Sequence, residues 1–117
     1  MRRFLNEKYK VELDFVDLTK LENVEKAIKK NTKLIWIESP TNPTLKICDI
    51  EEICKIAKKN NILSLVDNTF SSPYISSPML LGADIVLQSC TKYIGMISVL
   101  KIRRTLRRGY GGPHNKR

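Results

Sequence analysis

Lys92 stands in the run Ser89-Cys90-Thr91-Lys92-Tyr93, 25 positions after an acid that closes an apolar run, Leu65-Val66-Asp67-Asn68-Thr69. A lysine amine flanked by small hydroxyls, with a carboxylate at a strand end, is a donor set that can hold pyridoxal phosphate. In that reading Lys92 bonds the cofactor aldehyde as a Schiff base, Ser89 and Thr91 hydrogen-bond the phosphate, and Asp67 keeps the pyridine nitrogen protonated. A free lysine, with a pKa near ~10.4, is uncharged in roughly one copy in a few thousand at neutral pH. Burial of Lys92 after an apolar strand is expected to lower that pKa.

Each of these residues also has a plainer reading. A Ser-x-Thr-Lys string serves equally as a surface loop, and an aspartate after a strand is often a helix cap or turn former. Glu38 and Asn42 can reach the same crevice, yet a strand-end acid and a turn asparagine need no function. Cys90 reads as a small buried residue, and Tyr93 either packs on the cofactor or fills space.

Placing these groups requires strands that end together. Leu34-Ile35-Trp36-Ile37 and Ile62-Leu63-Ser64-Leu65-Val66 are continuous apolar runs, predicting strands buried on both faces, and Ile85-Val86-Leu87 predicts a third. Between the first two, Asp49 and Glu52 suggest a helix start and Ile50, Ile53, Cys54 and Ala57 give an apolar stripe, with Lys55, Lys58 and Lys59 facing water. Strand, helix and strand of this length predict a right-handed crossover in a parallel sheet. A helix over residues 19–30 is expected from Leu21, Val24, Ala27 and Ile28, with Thr19 and Glu22 as a capping box. Residues 39–44 and 68–77 read as loops, and a short helix is expected from Pro78, capped by Ser77, to Gly82. In such sheets ligands bind beyond the carboxyl ends of strands, where Ser39 to Thr44, Asp67 to Thr69 and Ser89 to Lys92 would lie.

Composition narrows the chemistry. The chain's 117 residues allow one domain, and 42% hydrophobic and 28% charged residues are ordinary for a globular protein, with neither a long apolar span nor a signal pattern. The expected location is cytoplasmic. Cys48, Cys54 and Cys90 form no C-x-x-C pair and the single histidine, His114, lies in a glycine-rich stretch, which argues against a metal site, a disulfide framework or a histidine-based triad. Net charge is +9, but residues 96–117 carry seven Lys and Arg with no acid, leaving fourteen against twelve in residues 1–95. A charge excess at one end predicts a basic appendage rather than a nucleic-acid-binding face. Tyr110 as that segment's lone aromatic gives no support to base stacking.

Glu38-Ser39-Pro40-Thr41-Asn42-Pro43, Val66-Asp67-Asn68-Thr69-Phe70, Leu81-Gly82-Ala83-Asp84 and Ser89 to Gly95, in this order and spacing, resemble the trans-sulfuration family of pyridoxal-phosphate enzymes over about residues 10–95. Within the family the resemblance is closest to the cystathionine γ-lyase branch; the β-lyase, γ-synthase and methionine γ-lyase branches are alternatives. It implies an α/β fold, part of the mostly parallel seven-stranded sheet of the large domain of fold-type I enzymes, in a homotetramer acting on sulfur amino acids. It also implies that Lys92 is the Schiff-base lysine, Asp67 the acid on the pyridine nitrogen, Ser89 and Thr91 the phosphate hydroxyls, and Asn42 a residue near the ring hydroxyl. The implied reaction splits cystathionine into cysteine, 2-oxobutanoate and ammonia.

The resemblance has limits. The family's upstream glycine turn and ring-stacking aromatic have no counterpart, nor do its downstream Gly-His-Ser-Asp-like segment and carboxylate-binding arginine; Gly95 runs instead into Met96-Ile97-Ser98-Val99. The expected organisation is therefore a partial cofactor domain over residues 1–95 and an irregular basic tail over 96–117, inactive alone, in the pattern that a shifted frame or a retained intron produces. The competing readings are a binding module that uses the tail on acidic partners, and a subunit that joins full-length relatives.

Overall fold

The three apolar runs become the first three strands of one four-stranded sheet. The computed structural model of the chain describes residues 2–93 and 99–102. Strands β1 (Leu34–Glu38), β2 (Leu63–Asp67), β3 (Ile85–Gln88) and β4 (Val99–Ile102) lie in the order β1-β2-β3-β4. The first two pairings are parallel and β3–β4 is antiparallel. The fold is thus α/β with a small, mostly parallel sheet. In the segment expected to be irregular, β4 is a regular strand; residues 94–98 and 103–117 of that expectation lie outside the described set.

Register aligns the carboxyl ends. Glu38 stands opposite Asp67, and Asp67 opposite Leu87, so the residues that follow each strand leave from one edge of the sheet. At the other edge Asp84 fixes the start of the β2–β3 pairing. Its Oδ2 accepts hydrogen bonds from the Ser64 N–H and hydroxyl, both at 2.9 Å, and its own N–H donates to Ser64 Oγ at 3.2 Å. The chain reaches Asp84 through Gly82 at φ +99°, a conformation glycine adopts without strain. Residues 78–82, expected as a helix, make successive turns whose N–H groups bond three residues back, because Pro78 and Gly82 leave room for one turn only. The Leu-Gly-Ala-Asp motif is therefore structural.

Two of the helices, the second and third, cover one face. The helices are α1 (Arg2–Tyr9), α2 (Leu21–Ala27), α3 (Ile50–Lys59), α4 (Ser72–Ile75) and α5 (Cys90–Tyr93). Asp49 caps α3 by accepting from the Glu52 N–H at 3.0 Å, and Ile50, Ile53, Cys54 and Ala57 are buried, as their spacing predicts. Asn61, at φ +56°, ends this helix, and the Ile62 N–H returns to the Ala57 carbonyl at 2.9 Å. Ile37, Val66 and Val86, in register across three strands, pack with Val24, Ile53 and Cys54 into the core. Full burial of an Ile or Val is worth roughly 1.5–3 kcal/mol each, so this face carries the fold.

Two expectations change. Helix α2 begins after Lys20 without a side-chain cap, since Thr19 stands one residue before the cap position, where its hydroxyl donates to Asp17 Oδ1 at 2.8 Å, and it ends before Ile28, which is extended. The capping box and the 19–30 extent are both shortened. On the second face of the sheet Leu34 and Trp36 are 43% and 55% exposed, so β1 is buried on one face rather than two, whereas in β2 Leu63 alone is exposed and Ser64, Leu65 and Val66 are buried in succession, as expected of a strand covered on both faces. A continuous apolar run reports what a strand can bury, not what is laid over it.

Candidate functional site

Asp67 closes β2 half-buried, and its Oδ1 accepts the Thr69 N–H at 3.0 Å. That is the short turn an aspartate forms with the residue two ahead. It occupies one of about four acceptor positions on the carboxylate. Asn68, 1% exposed, anchors the turn: its backbone N–H donates to the Leu87 carbonyl at 2.9 Å, and its Nδ2 donates to the carbonyls of Ser72 and Ser76 at 3.1 and 3.0 Å. Asn68 Oδ1 is buried with no hydrogen-bond partner among the described residues. The segment expected as a loop thus includes a turn of helix, α4, tied to the sheet.

Thr69 carries the connection to β3. Its Oγ1 accepts the Ser89 N–H at 2.9 Å, and its carbonyl accepts from Gln88 Nε2 at 3.5 Å. The chain then enters α5. The hydroxyls of Ser89 and Thr91 lie 3.0 Å apart, and the Lys92 N–H donates to the Ser89 carbonyl at 3.3 Å. Four of the five candidates, Asp67, Ser89, Thr91 and Lys92, are therefore joined through Thr69 and one short turn. Sequence reading assigned Thr69 no role; its place two residues after the strand-end acid was the one available signal.

Lys92 is exposed, which corrects the expected burial. It sits in the second half of α5, beyond the sheet edge, where the described elements do not enclose it. Thr91 is exposed and Ser89 half-buried. Asn42 is exposed on the loop leaving β1, a loop shaped by its own contacts: Thr41 and Thr44 hydroxyls at 2.8 Å, and the Lys46 N–H to Thr41 Oγ1 at 3.0 Å. The structure does not bring Asn42 into the Asp67–Lys92 network. Glu38 is exposed beside Asp67 in register.

The remaining reactive groups are silent. Burial pushes the thiols of Cys48 and Cys54 up from their ordinary range, favouring the neutral form over a nucleophile. The packing expected of the Cys90 and Tyr93 side chains lies outside the described residues, as does His114. Among the described residues no group of His, Cys, Asp and Glu could hold a metal, and no helix is long and apolar enough to cross a membrane. A cleft of about 210 Å³ is lined by Asn6, Glu12, Leu13, Asp14 and Lys29, none of them at the strand ends. Lys29 Nζ there pairs with Asp14 at 2.7 Å.

The donor set fits the phosphate and ring of pyridoxal phosphate by type. Two adjacent hydroxyls suit an anionic group, a half-buried carboxylate suits a protonated ring nitrogen, and the amine shares the hydroxyls' turn. Comparison with known proteins gives the same direction. The model of the Cys/Met metabolism PLP-dependent enzymes matches residues 1–99. The chain is 58% identical over 85 residues to cystathionine γ-lyase of Bacillus subtilis, covering 73% of this chain and 22% of that protein. It is 56% identical over 82 residues to cystathionine β-lyase of Lactococcus lactis, covering 70% and 22%. The crystal structure of cystathionine γ-lyase from Lactobacillus plantarum complexed with L-serine superimposes with a TM-score of 0.71 at 44% identity, over 76% of this chain and 24% of that one. The chain spans about a quarter of the length of these relatives.

Proposed function

The chain belongs to the family of PLP-dependent enzymes of cysteine and methionine metabolism, and from that premise we propose that its strand-end residues are the cofactor-holding part of a carbon–sulfur lyase. The observation that carries this reading is the hydrogen-bonded run from Asp67 through Thr69 to Ser89, Thr91 and Lys92. Asp67 would hold the ring nitrogen in its protonated state, Ser89 and Thr91 would bind the phosphate, and the Lys92 amine would bond the aldehyde carbon. The resemblance would set Asn42, on the loop leaving β1, near the ring hydroxyl. When bound, the cofactor supplies an electron sink that lets an amino acid lose its α-proton and then a sulfur leaving group.

The substrate class is a sulfur amino acid, and the reading extends to γ-cleavage of cystathionine into cysteine, 2-oxobutanoate and ammonia. β-Cleavage, γ-replacement and γ-cleavage of methionine are the alternatives, since identity does not separate relatives named for γ- and β-cleavage, at 58% and 56%. The family setting suggests a homotetramer in the cytoplasm. Exposure of Lys92, Thr91 and Asn42 supports cofactor capture with little turnover by the 117-residue chain alone, since fixed orientation supplies much of catalysis.

Titrating the full chain with pyridoxal phosphate tests this. Expected is an absorbance band of the bound cofactor that is lost in Lys92→Ala, weakened in Asp67→Asn, and kept in Lys58→Ala, which removes an exposed lysine of α3. A spectrum identical in wild type and Lys92→Ala overturns the proposal.

A further inference from the structure

We propose that Thr69 is a positioning residue that couples the acid end of the site to its hydroxyl and lysine end. This rests on the reading of Asp67, Ser89 and Lys92 given above. Thr69 offers three groups to three neighbours: its N–H to Asp67 Oδ1 at 3.0 Å, its Oγ1 to the Ser89 N–H at 2.9 Å, and its carbonyl to Gln88 Nε2 at 3.5 Å. The first bond orients the carboxylate. The second fixes where β3 gives way to α5, and with it the Ser89 and Thr91 hydroxyls, 3.0 Å apart, and Lys92 in the next position.

A hydroxyl has one donor proton and two acceptor positions, so Thr69 can accept from Ser89 and still donate. A valine in its place keeps volume and β-branching but leaves the Ser89 N–H without this acceptor. The backbone bond to Asp67 survives in both valine and serine variants. The two variants therefore isolate the side-chain link from the turn itself.

The test uses the full chain and two readouts. In the chain without cofactor, hydrogen exchange at the Ser89 amide is expected to accelerate about tenfold in Thr69→Val, the scale of one lost hydrogen bond, and to return to the wild-type rate in Thr69→Ser. With pyridoxal phosphate as the probe, the dissociation constant read from the Lys92-dependent band rises about five- to tenfold in Thr69→Val and recovers in Thr69→Ser, with far-UV circular dichroism unchanged. Equal affinity in wild type and Thr69→Val overturns the coupling while leaving the cofactor reading intact. Failure of Thr69→Ser to recover also overturns it, since loss of shape rather than of the hydroxyl would then be responsible. A wild-type chain with no Lys92-dependent band overturns both.

Discussion

Truncating Asp84 should destabilise the fold more than any other change at the sheet's amino edge. Asp84 Oδ2 accepts two hydrogen bonds at 2.9 Å from Ser64, a residue 1% exposed in the central strand. Hydrogen bonds to a charged acceptor contribute about 1.5–3 kcal/mol each, and a buried donor left unsatisfied costs about 1–3 kcal/mol. Asp84→Ala removes both bonds, but the Ser64 hydroxyl can turn to another acceptor and Asp84 is itself half-buried, so the loss is set near the lower bound of the pair, about 2–4 kcal/mol. Asp84→Asn keeps an oxygen in place without the charge and should lose about 1 kcal/mol. Against total stabilities of about 5–15 kcal/mol, the alanine change is a large fraction. Urea unfolding followed by far-UV circular dichroism and by Trp36, the single tryptophan, measures both. An Asp84→Ala loss below about 0.5 kcal/mol, or an asparagine loss as large as the alanine loss, would refute the clamp. Asp84 lies about 10 Å from Asp67 along the strand, so cofactor affinity per folded molecule should not change.

Asp49→Ala, which removes the cap on α3, should lower stability by about 1 kcal/mol by the same urea assay, with Asp49→Ser nearly neutral. Gly82→Ala should cost about 1–3 kcal/mol through backbone strain at φ +99° alone, because an added Cβ would meet Cys54 Cβ at an ordinary 3.5 Å. A Gly82→Ala protein as stable as wild type would contradict that conformation. Burial raises the Cys54 thiol above its ordinary 9.0, with the Asp84 carboxylate adding to the rise and a Ser64 hydrogen bond opposing it. The unfolded thiol ionises first, so the stabilisation is full below about pH 9 and is lost as pH climbs through the folded value. Unfolding midpoints between pH 8 and 11 should therefore fall more steeply in wild type than in Cys54→Ala, and equal slopes would exclude the effect.

What was legible in the sequence was local. The stripe of Ile50, Ile53, Cys54 and Ala57 and the Asp49 cap depend on neighbours within one or two turns, and the structure shows each as the pattern implies. Where a second partner decided the outcome, the pattern fell short. Thr19 turns to Asp17, two residues back, and the helix starts after Lys20, one position later than a Thr19 cap requires. Leu34 and Trp36 have the residue types of a doubly buried strand, yet burial depends on what lies over them. The site shows the same division. Residue types nominated Asp67, Ser89, Thr91 and Lys92, whereas the Thr69 link runs from a side-chain oxygen to a backbone N–H twenty residues away, and backbone donors leave no mark on residue identity. Exposure of Lys92 was equally hidden, because it is a property of the surroundings and not of the strand that precedes it.

The exposed apolar side chains at the β1 edge bear on how the chain behaves in a test tube. Among the described residues strand β1 is an edge, paired with β2 on one side, and it presents Leu34 and Trp36 together with Leu63 of β2 to solvent. An open edge beside apolar side chains is a template on which another strand can add. Copies of this chain are held apart by their formal charge of +9, which repels over about 10 Å at 0.1 M salt and about 3 Å at 1 M. Ionic strength thereby becomes the control on colloidal stability: a dilute, low-salt solution keeps the molecules dispersed, and concentrated salt brings the β1 edges within reach of one another.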